Sequence, residues 1–328
     1  MEALKFGLML SNRGPVLGYI NPLELVELAV RAEQSGSFDS VWSGDAFLVN
    51  PRLDAIGLLC AVAAQTSRVQ LGPACMGSFT QRSVLDLAYS WASLDQISNG
   101  RSLMVACAGG GSGPAWESEA RATGVAPATR RGLMWERITV LRSLWQETNV
   151  SFEGKFHTLD DVTVLPQPIR QPYPIWSATN ITRLASGTAA GPLPRKTLGT
   201  IGQLCDGWMT HSVDAERFGQ AWEVICESAT ASGRDASELD NCLCFNICVR
   251  DDSDAALDES VDFLRAYYGI AFTRERTKAW TAYGSPQACA TALRAFKGSA
   301  IKRVALRITA NDQAAQLERI VKEVLPLV

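Results

Sequence analysis

The sequence predicts a (β/α)8 barrel with loop insertions after its fourth and fifth strands. Three observations lead there: eight short apolar runs, helical patterns between them, and no linker or charge run that would divide the chain. Parallel strands buried on both faces read as near-continuous apolar runs, which suits a closed barrel better than an open doubly wound sheet.

The first strand is Leu4 to Leu10. Asn21-Pro22-Leu23-Glu24 then opens a helix, with Asn as N-cap, Pro in the first turn and Glu three residues after the cap; Gly36 closes it. Phe38 to Trp42 is the second strand, followed by an Ala/Leu-rich helix from Leu53 to Thr66. Val69 to Cys75 is the third, and its helix, Val84 to Ile97, stops at Asn99-Gly100. Leu103 to Cys107 is the fourth, followed by the glycine-rich loop Ala108 to Pro114 and a helix from about Thr129 to Gln146. The stretch Phe152 to Tyr173 differs: Glu153-Gly154-Lys155 resembles a hairpin turn, and Pro166, Pro168, Pro172 and Pro174 prevent a long helix.

Ile175 to Ala178 is the fifth strand, and Ile181 to Pro194, rich in Gly, Pro, Ala and Thr, is a loop excursion. A helix from Lys196 to Cys205, a sixth strand from Gly207 to Thr210 and a helix from Ala215 to Ser232 follow. Leu243 to Val249 is the seventh strand, with a helix from Ala255 to Tyr267. Ser285-Pro286-Gln287 opens another helix, Val304 to Ile308 is the eighth strand, and a helix from Asp312 finishes the chain. Residues 1–328 therefore read as one barrel domain with excursions near 109–128, 148–173, 181–195 and 268–283.

Composition narrows the function. Hydrophobic residues make up 47% and charged residues 20%, which excludes disorder and fibrous classes. Lys and Arg number 31 against 34 acidic residues, net −3, with no basic block, so neither nucleic acid nor an anionic membrane is an expected partner. The nine cysteines form no Cys-x-x-Cys and sit mostly in apolar runs; they read as reduced core thiols of a cytoplasmic protein. With only His157 and His211 in the chain, no metal site is expected. No apolar run approaches the roughly 20 residues of a membrane span, and the first residues lack a signal peptide's regions.

In such barrels the chemistry sits in the loops at the carboxyl ends of the strands. That rule selects Ser11, Asn12 and Arg13; Ser43, Gly44 and Asp45; Cys75, Met76 and Gly77; Cys107 to Gly111; Ser177 to Asn180; His211; Arg250 and Asp251; and Thr309. The set has no close Ser/His/Asp arrangement and no lysine ending an inner strand. It is rich in small residues, among them Gly44, Ala74, Gly77, Ala106, Gly109 and Ala178, which allow a flat ligand to approach backbone. Ser177 to Asn180 offers hydroxyls and amides of the kind that bind phosphate.

The segments Phe38-Asp39-Ser40-Val41-Trp42-Ser43-Gly44-Asp45, Ser67-Arg68-Val69-Gln70-Leu71-Gly72 and Ser93-Leu94-Asp95-Gln96-Ile97-Ser98-Asn99-Gly100-Arg101 resemble the bacterial luciferase-like flavin oxidoreductases. So do Phe152-Glu153-Gly154-Lys155, the Pro166-Gln167-Pro168 to Pro174 stretch, Asp206-Gly207-Trp208 and Gly284-Ser285-Pro286. The resemblance runs in family order from Lys5 to Ile308. It implies a barrel that binds FMN or the deazaflavin coenzyme F420, as a homodimer. It further implies that Ala74, Cys75 and Met76 lie against the flavin ring, that Ala106 to Gly109 border the ribityl chain or ring edge, and that Ser177, Ala178, Thr179 and Asn180 hold the phosphate. The chain departs from the pattern at Ala46, where many members carry His, and around Ala108, where the luciferases have a phosphate-binding Arg. Arg195 or Lys196 is the expected substitute for that cation.

On this reading Asp45 is either a hydrogen-bonding, acid–base group at the flavin or a brace of its loop. His211 is either a proton donor or a polar loop residue; His157 is structural. Asn12 joins Asp45 and His211 as a catalytic candidate, Arg13 faces an anionic substrate, and Trp116 walls the substrate pocket. The leading expectation is a monooxygenase in which reduced FMN, supplied by a flavin reductase, and O2 oxidise a small organic substrate. The alternative is a coenzyme F420-dependent oxidoreductase that transfers hydride without oxygen, and a third is an idle flavin-binding barrel.

Overall fold

Eight short strands, buried on both faces, form the inner wall in a computed structural model describing residues 3–181, 191–269 and 272–328. They are β1 (Lys5–Leu10), β2 (Ser40–Asp45), β3 (Gln70–Met76), β4 (Met104–Ala106), β7 (Ile175–Ala178), β8 (Gly207–His211), β9 (Asp240–Val249) and β11 (Arg303–Ile308). All pair in parallel, each with its neighbour in that order, and β11 pairs with β1, so the barrel closes. Between them, β5 (Val150–Glu153) and β6 (Thr158–Val162) make an antiparallel hairpin, and β10 (Thr281–Gly284) extends the sheet.

The helices are α1 (Gly14–Leu17), α2 (Pro22–Gln34), α3 (Ala55–Gln65), α4 (Val84–Ser98), α5 (Pro114–Thr123), α6 (Arg130–Gln146), α7 (Arg195–Leu204), α8 (Ala215–Ala231), α9 (Ser253–Tyr268), α10 (Arg274–Ala279), α11 (Pro286–Arg294) and α12 (Gln313–Arg319). The expected barrel and its helix starts are present. At α2 the Asn21 side chain accepts the Leu23 and Glu24 N–H groups at 3.0 Å, and Glu24 accepts the Asn21 N–H at 2.7 Å. Such a reciprocal cap stabilises a helix by about 1 kcal/mol. Asn99 (φ 55°) and Gly100 (φ 78°) end α4 in left-handed conformations. Four short elements were not expected from the sequence: α1 before α2, α5 in the loop after β4, and α10 and β10 in the excursion after α9. The Ile181 to Pro194 excursion falls largely on residues 182–190, outside the described residues.

Alternate residues on each strand point inward, and these fill the cylinder. Met9, Trp42, Leu103, Val105, Trp176, Met209, Cys242, Cys244 and Ala305 form a separate apolar cluster inside it. The Trp42 and Trp176 rings lie 5.8 Å apart at its centre, and burying each contributes about 2–3 kcal/mol. The amino-terminal end is closed by Arg303, which pairs with Asp39 and Asp240 and donates to Ser40 Oγ. With one end plugged, the carboxyl end is the open face.

β10 matters for that face. It pairs with the second half of β9 (Thr281↔Asn246 to Gly284↔Val249), whereas β8 pairs with the first half (Gly207↔Asp240 to His211↔Cys244). β10 therefore continues the wall where β8 stops and delivers Trp280 to the mouth.

Candidate active site

Small residues crowd one half of the mouth. Gly109 has φ +65°, and a Cβ there would lie 2.3 Å from the Gly77 carbonyl oxygen. A Cβ on Gly77 would lie 2.8 Å from the Asp45 carbonyl oxygen. The loops after β2, β3 and β4 thus abut backbone to backbone, a fit only glycine permits. Above this seam β3 loses its pairing: its register against β2 jumps from Ser43↔Pro73 to Asp45↔Met76, and only Met76 pairs with β4, at Ala106. Ala74 and Cys75, joined by a cis peptide, sit unpaired against the interior cluster. Cys75 and Cys107 are hydrogen-bonded neighbours; the bond to Cys107 and burial push the Cys75 thiol up, while the same bond draws Cys107 down.

Asp45 ends β2 with its carboxylate buried. It accepts the Ser78 N–H at 2.7 Å and stands 3.8 Å from Arg82, both in the loop before α4. Burial raises its carboxyl above the usual range, although the Ser78 hydrogen bonds and Arg82 oppose this.

Ala178 packs on the interior cluster, and the Thr179 N–H donates to the Met209 carbonyl at 3.2 Å, with Asn180 next along the rim. Ser177 is buried and its hydroxyl has no partner among the described residues. Trp116 rides on α5, half-buried, with its indole against Gly111. Arg195 does not supply the expected cation. It is exposed at the start of α7 and pairs with Glu227 of α8 at 3.6 Å, and Lys196 is exposed beside it. A different arginine comes to the small-residue half. Arg130, at the first position of α6, is 3% exposed and reaches Gly110; its Nη2 is ion-paired with Glu119 at 3.7 Å, and neither Nε nor Nη2 makes a hydrogen bond.

The other half of the mouth is cationic and aromatic. His211 ends β8 on its inward face, its ring centre 4.9 Å from that of Trp280 and its Nδ1 2.9 Å from Ser212 Oγ. Burial, then the charges of Arg276 and Arg307, lower its pKa to about 4, so the imidazole is neutral at pH 7. Arg307 lies near the end of β11. Its guanidinium sits over Tyr267 (5.0 Å), Tyr268 (5.1 Å) and Trp280 (5.9 Å). Tyr267 also carries Arg52 at 5.3 Å and accepts a hydrogen bond from Arg13 at its carbonyl.

Asn12, a catalytic candidate from the sequence, lies beneath this cluster as a fastener. Its amide donates to the carbonyls of Gly44 (2.7 Å) and Leu53 (2.9 Å), and its oxygen accepts from the Tyr267 hydroxyl (3.3 Å), so its polar atoms are engaged. Arg13 donates to Asn50 at 2.7 Å, with its Nε unpartnered, and stands at the rim of the cationic half.

Sequence reasoning missed Arg307, Tyr267, Tyr268, Trp280 and Arg130. One signal was available for Arg307: Arg303 and Arg307 share a parity with Ala305 on a strand otherwise apolar, and buried charges demand a reason. Tyr267 and Tyr268 read only as a helix end. Among the described residues no helix is long and apolar enough to cross a membrane, and no cluster of metal-ligating side chains occurs.

Comparison with known proteins adds to this geometry. Residues 4–303 match the family model described as luciferase-like monooxygenase. An F420-dependent glucose-6-phosphate dehydrogenase of Kineococcus radiotolerans is 27% identical, over 93% of this chain and 93% of its own. A solved F420-dependent secondary alcohol dehydrogenase, in complex with an F420–acetone adduct, superposes with a TM-score of 0.81 over 100% of this chain and 99% of its own, at 20% identity. A monooxygenase from Streptomyces bottropensis superposes with a TM-score of 0.78 over 98% and 99%, at 22% identity. At such identities the two structures attest the fold alone.

Proposed function

This chain belongs to the luciferase-like monooxygenase family, and from that premise we propose that it is a coenzyme F420-dependent oxidoreductase that moves hydride between a small organic substrate and the deazaflavin without oxygen. That it is a flavin- or deazaflavin-dependent oxidoreductase follows from the family and its relatives. The choice of F420 over reduced FMN rests on one observation: the relative matched over nearly its whole length is F420-dependent, while a monooxygenase is a neighbour in fold alone. This reverses the order of preference drawn from the sequence.

The residues present fit such a cofactor. The seam of Gly77 and Gly109 leaves Ala74 and Cys75 to face a planar ring without bulky side chains, whereas Met76 and Ala106, expected at the ring, are fully buried in the outer core because their strand parity turns them away from the interior. Arg130, buried beside Glu119 with two nitrogens that make no hydrogen bond, together with Thr179 and Asn180, suits an anionic phosphate. When bound, the deazaflavin supplies the carbon that accepts or returns hydride.

The chain's own task is to bind, orient and handle the proton. His211, neutral and with Nδ1 held by Ser212, is placed to take up a proton at Nε2 as a substrate hydroxyl is oxidised. Its basicity is low while Arg276 and Arg307 face it uncompensated, and an anion between them would raise it. Asp45 braces the loops beneath the ring, and Asn12 fixes Tyr267 and the end of β2. Trp116 walls the pocket from α5.

Titration of the purified protein with F420, oxidised FMN and reduced FMN tests the reading. F420 is expected to bind at least about tenfold tighter than either FMN form. Tight binding of reduced FMN without affinity for F420 would restore the monooxygenase reading.

A further inference from the structure

We infer that the substrate carries an oxyanion, a carboxylate or phosphate group, and that Arg307 receives it at the cationic half of the mouth. The inference rests on the oxidoreductase reading for the word substrate, but the site itself stands on the geometry.

Two arginines face inward on β11, and they are treated differently. Arg303 is paired with Asp39 and Asp240. Arg307, four residues on, is 3% exposed and has no carboxylate partner among the described residues; Nε and Nη1 make no close hydrogen bond, one amino group reaches Met9 Sδ at 2.7 Å, and the Tyr268 hydroxyl is a further polar neighbour. An arginine stays charged even when buried, and an unpaired buried charge is costly. The three aromatic rings around it offset part of that cost, at about 0.5–2 kcal/mol each, but rings do not satisfy N–H donors. What satisfies them is a planar or tetrahedral oxyanion, which a guanidinium grips with two parallel bonds.

Three further cations surround the same place. Arg52 shares the Tyr267 ring with Arg307, Arg13 donates to the Tyr267 carbonyl, and Arg276 acts with Arg307 on His211. Among the described residues none of these four forms an ion pair with a carboxylate. The charges acting on Arg13, Arg276 and Arg307 come from tyrosines, Cys244 and Arg52. Four like charges gathered without a counter-charge define an anion site. The oxyanion then lies beside His211, with the remainder of the substrate directed toward the small-residue half.

The test is a titration of the protein with inorganic phosphate and with acetate, read by intrinsic tryptophan fluorescence and by calorimetry, with and without F420 bound. Saturable binding is expected that weakens with salt and falls about tenfold or more in Arg307→Gln. It should be unchanged in Arg274→Gln, whose arginine pairs with Asp254 and Asp258 on the outside. If Arg307→Gln does not fold, Arg276→Gln, half-exposed, should still weaken binding several-fold. Binding that neither variant changes, or no binding, overturns the inference. Phosphate displaced by F420 also overturns it, by assigning the arginines to the cofactor's own phosphate. Failure to bind F420 while phosphate binds through Arg307 would sink the cofactor reading and leave the anion site standing.

Discussion

The Asp45 carboxylate accepts the Ser78 N–H at 2.7 Å, joining the end of β2 to the loop that follows β3. The bond is buried, and that places Asp45 under the small-residue half of the mouth as a brace. Its carboxyl pKa is raised by burial, so between the ordinary carboxyl value and the raised one the folded state holds more protons than the unfolded state. Stability falls as pH rises through that window. Asp45→Asn, which lacks the titration, should gain stability relative to wild type as pH rises across it, measured by urea unfolding at several pH values. Asp45→Ala, which orphans a buried N–H, should cost about 2 kcal/mol below that window and less above it.

His211 has the opposite dependence. Its pKa falls to about 4, chiefly through burial, whereas the unfolded imidazole titrates near 6.5. The unfolded state binds the extra proton between those values, so stability is lost as pH drops from about 6.5 toward 4, by on the order of 3 kcal/mol. His211→Gln should remove most of that loss. An equal pH dependence in both proteins would show that the imidazole titrates normally. NMR titration of the ring gives the same answer directly.

Much of the frame was legible in the chain because its signals are local. Asn21 and Glu24 cap a helix they belong to, and Asn99-Gly100 stops one by its own left-handed geometry. The small-residue half of the mouth was legible for the same reason, since Gly44, Gly77 and Gly109 end or follow strands the pattern reveals. The cationic half was not. Arg307, Tyr267 and Trp280 are distant in sequence and meet only because β11 closes against β1 and β10 continues the wall beside β9. Arg130 escaped because a helix start reads as solvent-facing, and Arg195 misled because nearness to the excursion says nothing of Glu227 across α8.

Gly109 tests the proposed cofactor role of the small-residue half without touching a charge. A methyl group there meets the Gly77 carbonyl oxygen at 2.3 Å in a left-handed backbone. Gly109→Ala should cost roughly 1–3 kcal/mol, because strain and a backbone clash coincide. The loops after β3 and β4 must then part, so cofactor affinity should fall more than in Gly113→Ala, where φ is also positive but no atom lies near the new methyl. Comparable losses of affinity in the two variants would show that the seam does not position the cofactor.

Glu33 shows that part of the family-like pattern is structural. Its carboxylate accepts the N–H groups of Ser67 (2.9 Å), Arg68 (2.7 Å) and Val69 (2.9 Å), tying α2 to the start of the third strand at the amino-terminal end of the barrel, away from the mouth. Burial alone would raise its pKa, but the three backbone bonds and Arg101 outweigh it and hold the carboxyl below the usual range. The contribution is therefore present above the ordinary Glu pKa and is lost as pH falls below it. Glu33→Gln should cost about 2 kcal/mol at pH 7 and progressively less toward acid, with cofactor and phosphate affinities unchanged. A loss of ligand affinity in the folded variant would show that the Ser67 to Gly72 segment serves the site as well as the scaffold.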